Sequence, residues 1–202
     1  MTRCEFLFDF GSPNSYLAWK MLPGIEERTG VHFDYKPVLL GGIFKATGNS
    51  SPAVAFAGVK GKMDYEMLEM RRFIKKNHLD AFTMNPHFPV NTLHLMRGAV
   101  LAQKQGFLPA YMEAAMHHMW EAPKQMSEPD IFVVAFNESG LDGKAILEGT
   151  QNDEIKGLLI LNTEQAVERG VFGAPSFFVD GELYFGKDRL RDVEEEILAR
   201  KG

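Results

Sequence analysis

Cysteine is almost missing from this sequence. Among its 202 residues only Cys4 carries a thiol, so no disulfide can form within the chain. That absence favours a reducing compartment, and we expect a cytoplasmic protein. Cys4 lies in a short apolar run, where a free cysteine is typically a small buried hydrophobe. Disulfide exchange needs a thiolate at the site, so the sequence disfavours a redox oxidoreductase.

Long apolar runs, basic runs and glycine-rich phosphate loops are missing too. No apolar run is long enough to cross a bilayer, and the chain begins with a strand pattern instead of a secretory signal, so we expect no membrane partner. The net charge of −5, without a basic stretch, argues against nucleic acid as a partner. The six histidines do not have the spacing of metal ligands, and we expect no metal.

The most informative stretch joins a strand pattern to the start of a helix. Residues 4–10 are short and mostly apolar, as in a buried strand. Ser12 suits the N-cap of the next helix, and Pro13 suits its first position. The spacing Ser12-x-x-Ser15 is that of the Cys-x-x-Cys motif of thioredoxin-type proteins, with both sulfurs replaced. Either a bound cofactor such as glutathione supplies the thiol, or Ser12 is only a helix cap.

The order of the predicted elements indicates the fold class. A strand, a helix and a strand come first, a long helical region follows, and a helix, two strands and a final helix close the chain. We predict an α/β protein with a thioredoxin-like fold and a large all-helical insertion. Residues 1–40 and 160–202 form the discontinuous thioredoxin-like domain in this prediction, and residues 41–159 form the insertion.

The predicted insertion has one feature with two interpretations. Methionines at helical spacing form either an ordinary helix-packing core or, with two aromatic residues, a pocket for an aromatic substrate. The set includes Met112, Met116, Met119, Trp120 and Phe88. At the start of the insertion, Gly41-Gly42 predicts a turn.

Two stretches near the C-terminus complement Ser12. Pro175 begins a strand, and in thioredoxin-like folds this proline is cis and faces the start of the first helix. Ala174 would then present its backbone to the site, where a peptide-like ligand can pair as an extra strand. Gly186, Lys187 and Asp188 form a second strand-to-helix turn, whose N–H groups can hold a carboxylate. Asp188 is either the partner of a ligand ammonium or a helix cap.

These stretches together resemble two related families over essentially the whole chain. They are the glutathione-dependent 2-hydroxychromene-2-carboxylate isomerases and the kappa-class glutathione transferases, in the DsbA-like branch of the thioredoxin superfamily. The resemblance is carried by residues 8–18, Gly48-Asn49, residues 172–175 and residues 185–190. It departs at Gly11, where a larger apolar residue is common, and at Phe185, where isomerases often have tryptophan.

The resemblance implies a role for each matching residue. Ser12 would be the catalytic residue, hydrogen-bonded to the glutathione sulfur, and Asn49 would contact the glycyl end. Ala174, beside Pro175, would pair with the cysteinyl backbone. Lys187 and Asp188, next to Gly186, would hold the γ-glutamyl head.

The resemblance also implies an activity. We expect an isomerase that uses glutathione catalytically to convert 2-hydroxychromene-2-carboxylate, or a similar small aromatic carboxylate, and that forms a homodimer. A transferase or peroxidase that consumes glutathione is one alternative, and a non-catalytic thioredoxin-like binding module is another. The candidates to hold a substrate carboxylate are Lys36, Lys45, Arg71, Arg72 and Arg97. A solvated surface charge is the more common role for each of them.

Overall fold

A mixed sheet of four strands carries the fold within residues 2–200, which are the residues that the structure, a computed structural model, describes. The strands are β1 (Cys4–Phe8), β2 (Phe33–Pro37), β3 (Ser176–Val179) and β4 (Glu182–Phe185). The helices are α1 (Pro13–Thr29), α2 (Leu40–Thr47), α3 (Pro52–Ala55), α4 (Lys62–Lys76), α5 (Leu93–Gln105), α6 (Leu108–Trp120), α7 (Pro129–Glu138), α8 (Gly143–Gly149), α9 (Asp153–Glu168) and α10 (Leu190–Ala199). A 3₁₀ turn, Lys187–Arg189, precedes α10.

Strand β1 lies inside the sheet, whose order is β2-β1-β3-β4. It pairs in parallel with β2, Cys4 opposite Phe33, and antiparallel with β3, Cys4 opposite Val179. A strand covered on both edges and both faces is apolar throughout, and all five residues of β1 are buried. The strand ends at Phe8, two residues earlier than the sequence pattern predicts, because the chain turns at Asp9.

The C-terminal hairpin follows the sequence closely. Asp180 and Gly181 join β3 to β4, and both have positive φ angles, 47° and 92°. A two-residue turn of this kind matches the twist of the strands on either side. Together with the βαβ unit at the N-terminus, this hairpin completes the predicted thioredoxin-like sheet, and the helices between β2 and α9 form the predicted helical insertion.

The start of the insertion differs from the prediction. Gly41 and Gly42 do not form a turn but lie inside α2, which begins at Leu40 and ends at Thr47, directly before Gly48 in the left-handed conformation. Gly42 lets α2 pack closely on α9, because a Cβ at this position would lie 3.1 Å from the Cγ2 methyl of Thr163 on α9. The domain boundary predicted between residues 159 and 160 falls within α9, which contacts both β2 and α5, and it stays a prediction.

The methionine face of α6 belongs to the core. Met112, Met116, Met119 and Trp120 are at most 2% exposed, so the interpretation of these residues as an open aromatic pocket is wrong. Phe88 packs on the same cluster, with its ring 6.2 Å from that of Trp120. Within the described residues, no helix is both long and apolar enough to cross a membrane.

Candidate active site

Ser12 occupies the position that the sequence predicts, at the N-cap of α1. Its side-chain oxygen accepts a hydrogen bond from the N–H of Ser15 at 3.1 Å, and Pro13 is the first helical residue. The Ser12 hydroxyl donates to the carbonyl oxygen of Ala174 at 3.0 Å, across 162 residues of sequence. Ser12 is only 5% exposed, so its hydroxyl sits at the positive end of the α1 dipole with little competing water.

A buried carboxylate fixes the turn that carries Ser12. One oxygen of Asp9 accepts hydrogen bonds from the N–H of Gly11 at 2.8 Å and from the hydroxyl of Thr92 at 2.7 Å. The other oxygen accepts from the N–H of Leu40 at 2.7 Å. Burial raises the pKa of the Asp9 carboxyl, while the donors from Leu40, Gly11 and Thr92 act in the opposite direction. Asp9 therefore links the turn to the first residue of α2 and to the start of α5.

The helical insertion also holds the next residue of the turn. The indole N–H of Trp120 donates to the carbonyl of Phe10 at 2.9 Å, and the N–H of Phe10 points to the sulfur of Met96 at 3.4 Å. Space around the turn is tight, since a Cβ on Gly11 would lie 3.1 Å from the methyl group of Thr92. A larger residue at Gly11 would therefore require the Thr92 side chain to shift by a few tenths of an ångström.

The loop before β3 faces Ser12. Its Ala174–Pro175 peptide bond is cis, as predicted. Ala174 is half-buried, and within residues 2–200 its N–H has no hydrogen-bond acceptor. The carbonyl of Pro175 accepts from the N–H of Gly186 at 2.9 Å, which ties this loop to the turn after β4. A free backbone N–H beside the Ser12 hydroxyl is the arrangement that an extended peptide-like ligand requires.

Asn49 borders the same loop from the other side. It follows Gly48, which ends α2 with a φ angle of 72°, and its side-chain amide donates to the carbonyl of Phe172 at 2.7 Å. The Asn49 side-chain oxygen accepts from the N–H of Ser50 at 2.8 Å. Asn49 therefore contacts the chain at Phe172, two residues before Ala174.

The third predicted group occupies the 3₁₀ turn after β4. Lys187 is 5% exposed, and its ammonium donates to a carboxylate oxygen of the exposed Asp188 at 2.7 Å. The same ammonium lies 5.0 Å from the centre of the Phe73 ring on α4. The structure thus places the predicted site residues on four segments that hydrogen bonds connect, namely the turns at Ser12 and Lys187, the cis-proline loop and the segment after α2. Lys187 is already paired with its neighbour Asp188.

Sequence reasoning missed Asp9 and Thr92 as site residues. Both are supporting groups, since they contact the turn and not the exposed side of Ser12. One signal was available: an acidic residue directly after an apolar strand is costly to bury unless it is hydrogen-bonded.

Among the cations predicted as candidates for a substrate carboxylate, Lys45 and Arg97 line one cavity, whereas Arg72 pairs with Glu69.

The chemistry open to this arrangement is limited. The direct hydrogen-bond partners of the Ser12 hydroxyl are an amide N–H and a carbonyl, so no base is placed to make it a nucleophile. Within the described residues, no group of three or more His, Cys, Asp or Glu side chains is placed to hold a metal. The site can instead donate a hydrogen bond to an anion at the start of α1.

Comparisons with known proteins identify the family of the chain. A family model described as a DSBA-like thioredoxin domain matches residues 3–198. A 2-hydroxychromene-2-carboxylate isomerase of Sphingobium xenophagum is 31% identical over 194 residues, which cover 96% of this chain and 97% of the relative. Glutathione S-transferase kappa 1 of Homo sapiens is 27% identical, over 96% of this chain and 88% of the relative.

A structural comparison gives the same fold. A solved structure of 2-hydroxychromene-2-carboxylate isomerase superposes with a TM-score of 0.82 and 24% identity, over 98% of this chain and 96% of that chain. The predicted resemblance, the thioredoxin-like fold and the expectation of an enzyme are confirmed by these relatives.

Proposed function

The chain belongs to the family of DSBA-like thioredoxin domains, and on this premise we propose that it is a glutathione-dependent isomerase. Its substrate would be 2-hydroxychromene-2-carboxylate or a similar small aromatic carboxylate, and its product the ring-opened trans-o-hydroxybenzylidenepyruvate or the corresponding isomer. The observation that carries the proposal is the Ser12 hydroxyl, placed at the start of α1 beside the N–H of Ala174, which has no acceptor among the described residues.

The residues around Ser12 fit glutathione as a peptide-like ligand. The Ala174 N–H, which has no acceptor within residues 2–200, would pair with the cysteinyl carbonyl. The exposed Asp188 carboxylate would receive the γ-glutamyl ammonium, and Asn49 would contact the glycyl end. When bound, glutathione supplies a thiol that can add reversibly to a conjugated carbon and leave again.

Ser12 would act as a hydrogen-bond donor to that sulfur. A free thiol has a pKa of about 8.5, so only a small fraction is ionised at neutral pH. A hydroxyl donor and the positive end of a helix both favour the thiolate, and lowering the thiol pKa by one unit requires only about 1.4 kcal/mol. The hydroxyl can reach the sulfur by turning away from the Ala174 carbonyl while its oxygen still caps α1.

The test compares Ser12→Ala with Ser15→Ala, a serine one helical turn later whose hydroxyl has no partner within the described residues. Thiolate absorbance of bound glutathione is followed against pH, and isomerisation of 2-hydroxychromene-2-carboxylate is followed with and without glutathione. We expect wild type to require glutathione and to leave its concentration unchanged. Ser12→Ala should raise the thiol pKa by about one unit and lower turnover about 100-fold, as for loss of one donor to a developing anion. Ser15→Ala should keep both properties.

Two other outcomes would replace this proposal. Stoichiometric consumption of glutathione would identify a transferase or peroxidase, in line with the kappa-class relatives. Absence of both glutathione binding and thiolate absorbance would leave a thioredoxin-like binding module. A cytoplasmic location and a homodimer are part of the proposal, and analytical ultracentrifugation tests the latter.

A further inference from the structure

A cavity of about 340 Å³ lies outside the site of Ser12, between α2, α5 and α9. Its walls are mainly apolar, and the side chains of Leu39, Leu93, Leu159, Ile160 and Val167 line it. Its volume falls in the range of small-molecule sites, which begins at about 300 Å³. Ile160 is 57% exposed, so the cavity is open to solvent beside it.

The charged residues at this cavity are mostly of one sign. Lys45 from α2, Arg97 from α5 and Lys156 from α9 line it, against the single carboxylate of Glu164. Lys156 is engaged with Asp153 at 3.0 Å. In the part of the chain that the structure describes, Lys45 and Arg97 have no carboxylate within ion-pairing distance. An apolar cavity with two unpaired cations is complementary to an apolar anion.

Arg97 is the informative member of this pair. Its side chain is half-buried, and burial of a cation is unfavourable unless an anion or hydrogen-bond acceptors accompany it. Burial, and secondly the charge of Arg97, lower the pKa of His94 one turn earlier on α5. A planar guanidinium is well suited to pair with a carboxylate.

We propose that this cavity binds a small carboxylate with an apolar body, with the carboxylate at Arg97 and Lys45 and the apolar part between α5 and α9. The inference does not rest on the proposed isomerase function. It also concerns a different place in the fold, because none of the predicted glutathione contacts lines the cavity.

The cavity is a neighbour of the Ser12 turn without being part of it. Leu39 and Leu93 line the cavity, and the residues that follow or precede them, Leu40 and Thr92, hold the carboxylate of Asp9. The Asp9 side chain thus lies between the cavity wall and the turn. An occupant of the cavity and a ligand at Ser12 can be bound at the same time.

The experiment is calorimetric titration of the full chain with octanoate, decanoate and the uncharged analogue 1-octanol. We expect octanoate to bind, and decanoate to bind about tenfold more tightly because it buries two more methylene groups. Arg97→Gln should weaken octanoate at least about tenfold and leave 1-octanol unchanged, since only the ion pair is lost. Arg191→Gln, a change of exposed charge on α10, is the matched control and should alter neither ligand.

A second variant tests the apolar part of the site. Ala46 lines the cavity from α2, and Ala46→Phe should weaken octanoate and 1-octanol alike. Circular dichroism is used to check that Arg97→Gln and Ala46→Phe fold as wild type does. Saturating glutathione should leave octanoate affinity unchanged in wild type.

Three results would overturn the proposal. Equal octanoate affinity of wild type and Arg97→Gln would show that the cation does not bind the carboxylate. Displacement of octanoate by glutathione would place the anion at Ser12 instead. Conversion of a dimer to a monomer by Ala46→Phe would show that a second copy of the chain covers this face.

Discussion

The hydroxyl of Ser12 donates to the carbonyl of Ala174 at 3.0 Å, while its oxygen accepts from the N–H of Ser15. One side chain therefore caps α1 and fastens the cis-proline loop to it. Because a hydroxyl has a single proton, it cannot hold the Ala174 carbonyl and donate to a ligand at the same time. In the proposed complex, the thiolate of glutathione would take the place of the Ala174 carbonyl, and a neutral hydrogen bond would be exchanged for a stronger, charge-assisted one.

The cap predicts a stability difference between the two serines of the motif. Ser12→Ala removes the cap and the bond to Ala174, and we expect the free energy of unfolding to fall by about 1–2 kcal/mol. Ser15→Ala should cost nothing or stabilise slightly, because it removes a buried hydroxyl without a partner in the described structure. Urea denaturation monitored by fluorescence measures both. Equal losses in the two variants would contradict the assignment of the cap.

Replacing Asp9 should lower the free energy of unfolding more than replacing Ser12 does, because the Asp9 carboxylate is a buried acceptor for three donors. Asp9→Asn turns part of the acceptor into a donor, which must then face the N–H of Leu40 or of Gly11. We expect a loss of about 2 kcal/mol at pH 7, the usual cost of leaving buried polar groups unpaired. Thr92→Val removes one of the three donors and should cost about 1 kcal/mol. An Asp9→Asn protein as stable as wild type would show that this carboxylate does not hold the turn.

Glu121, the residue directly after α6, should make the stability of the protein depend on pH. Burial opposes ionisation of its carboxyl, but hydrogen bonds from Lys20 at 2.8 Å, His117 at 3.0 Å and Tyr16 at 2.8 Å outweigh it and lower the pKa to about 2. A lowered pKa means that the stabilisation is present above the ordinary value of 4.5 and is lost as the pH falls toward about 2.

The corresponding variant is Glu121→Gln. It should be less stable than wild type by about 1–2 kcal/mol at pH 7, after allowance for solvent screening of a partly exposed group. The difference should shrink between pH 4.5 and pH 2. Tyr16→Phe, which removes one of the three donors, is the graded control. A difference that stays constant over this pH range would mean that Glu121 is not the group being titrated.

Local patterns in the sequence predict part of this site well. Ser12 and Pro13 have side chains whose cap preference does not depend on the rest of the fold, and Asp180-Gly181 specifies a hairpin by its own backbone freedom. The order of strands and helices was enough to predict the thioredoxin-like sheet. The cap and the hairpin turn are each decided by a few neighbouring residues, whereas the sheet follows from the order of the elements along the whole chain.

The supporting contacts of the site depend on long-range packing and escape such patterns. Asp9 meets Leu40 and Thr92 across 31 and 83 residues of sequence, so nothing near Asp9 predicts either partner. Trp120 illustrates a second limit. Helical spacing is the same for a core residue and for a pocket residue, and only the packing of α6 against the Phe10 turn shows that Trp120 is core.

The last prediction concerns Lys187 and Asp188, whose side chains form an ion pair with one buried and one exposed member. The Lys187 side chain is 6% exposed and that of Asp188 is 72% exposed. Removing the carboxylate alone takes away the one hydrogen-bond partner of the ammonium in the described part of the chain, and the Phe73 ring stays beside it. Replacing the ammonium by a methionine side chain of similar length removes the need for a partner.

A double-mutant cycle separates these effects. Asp188→Asn should lower the free energy of unfolding by about 1 kcal/mol, a value that allows for the exposure of the carboxylate. Lys187→Met should be close to neutral, and Asp188→Asn should cost nothing further in that background. Glutathione affinity gives an independent result, since Asp188→Asn should weaken it in both backgrounds if the carboxylate itself receives the γ-glutamyl ammonium. If Lys187→Met alone abolishes glutathione binding, the ammonium contacts the ligand directly and the ion pair seen here opens when the ligand binds.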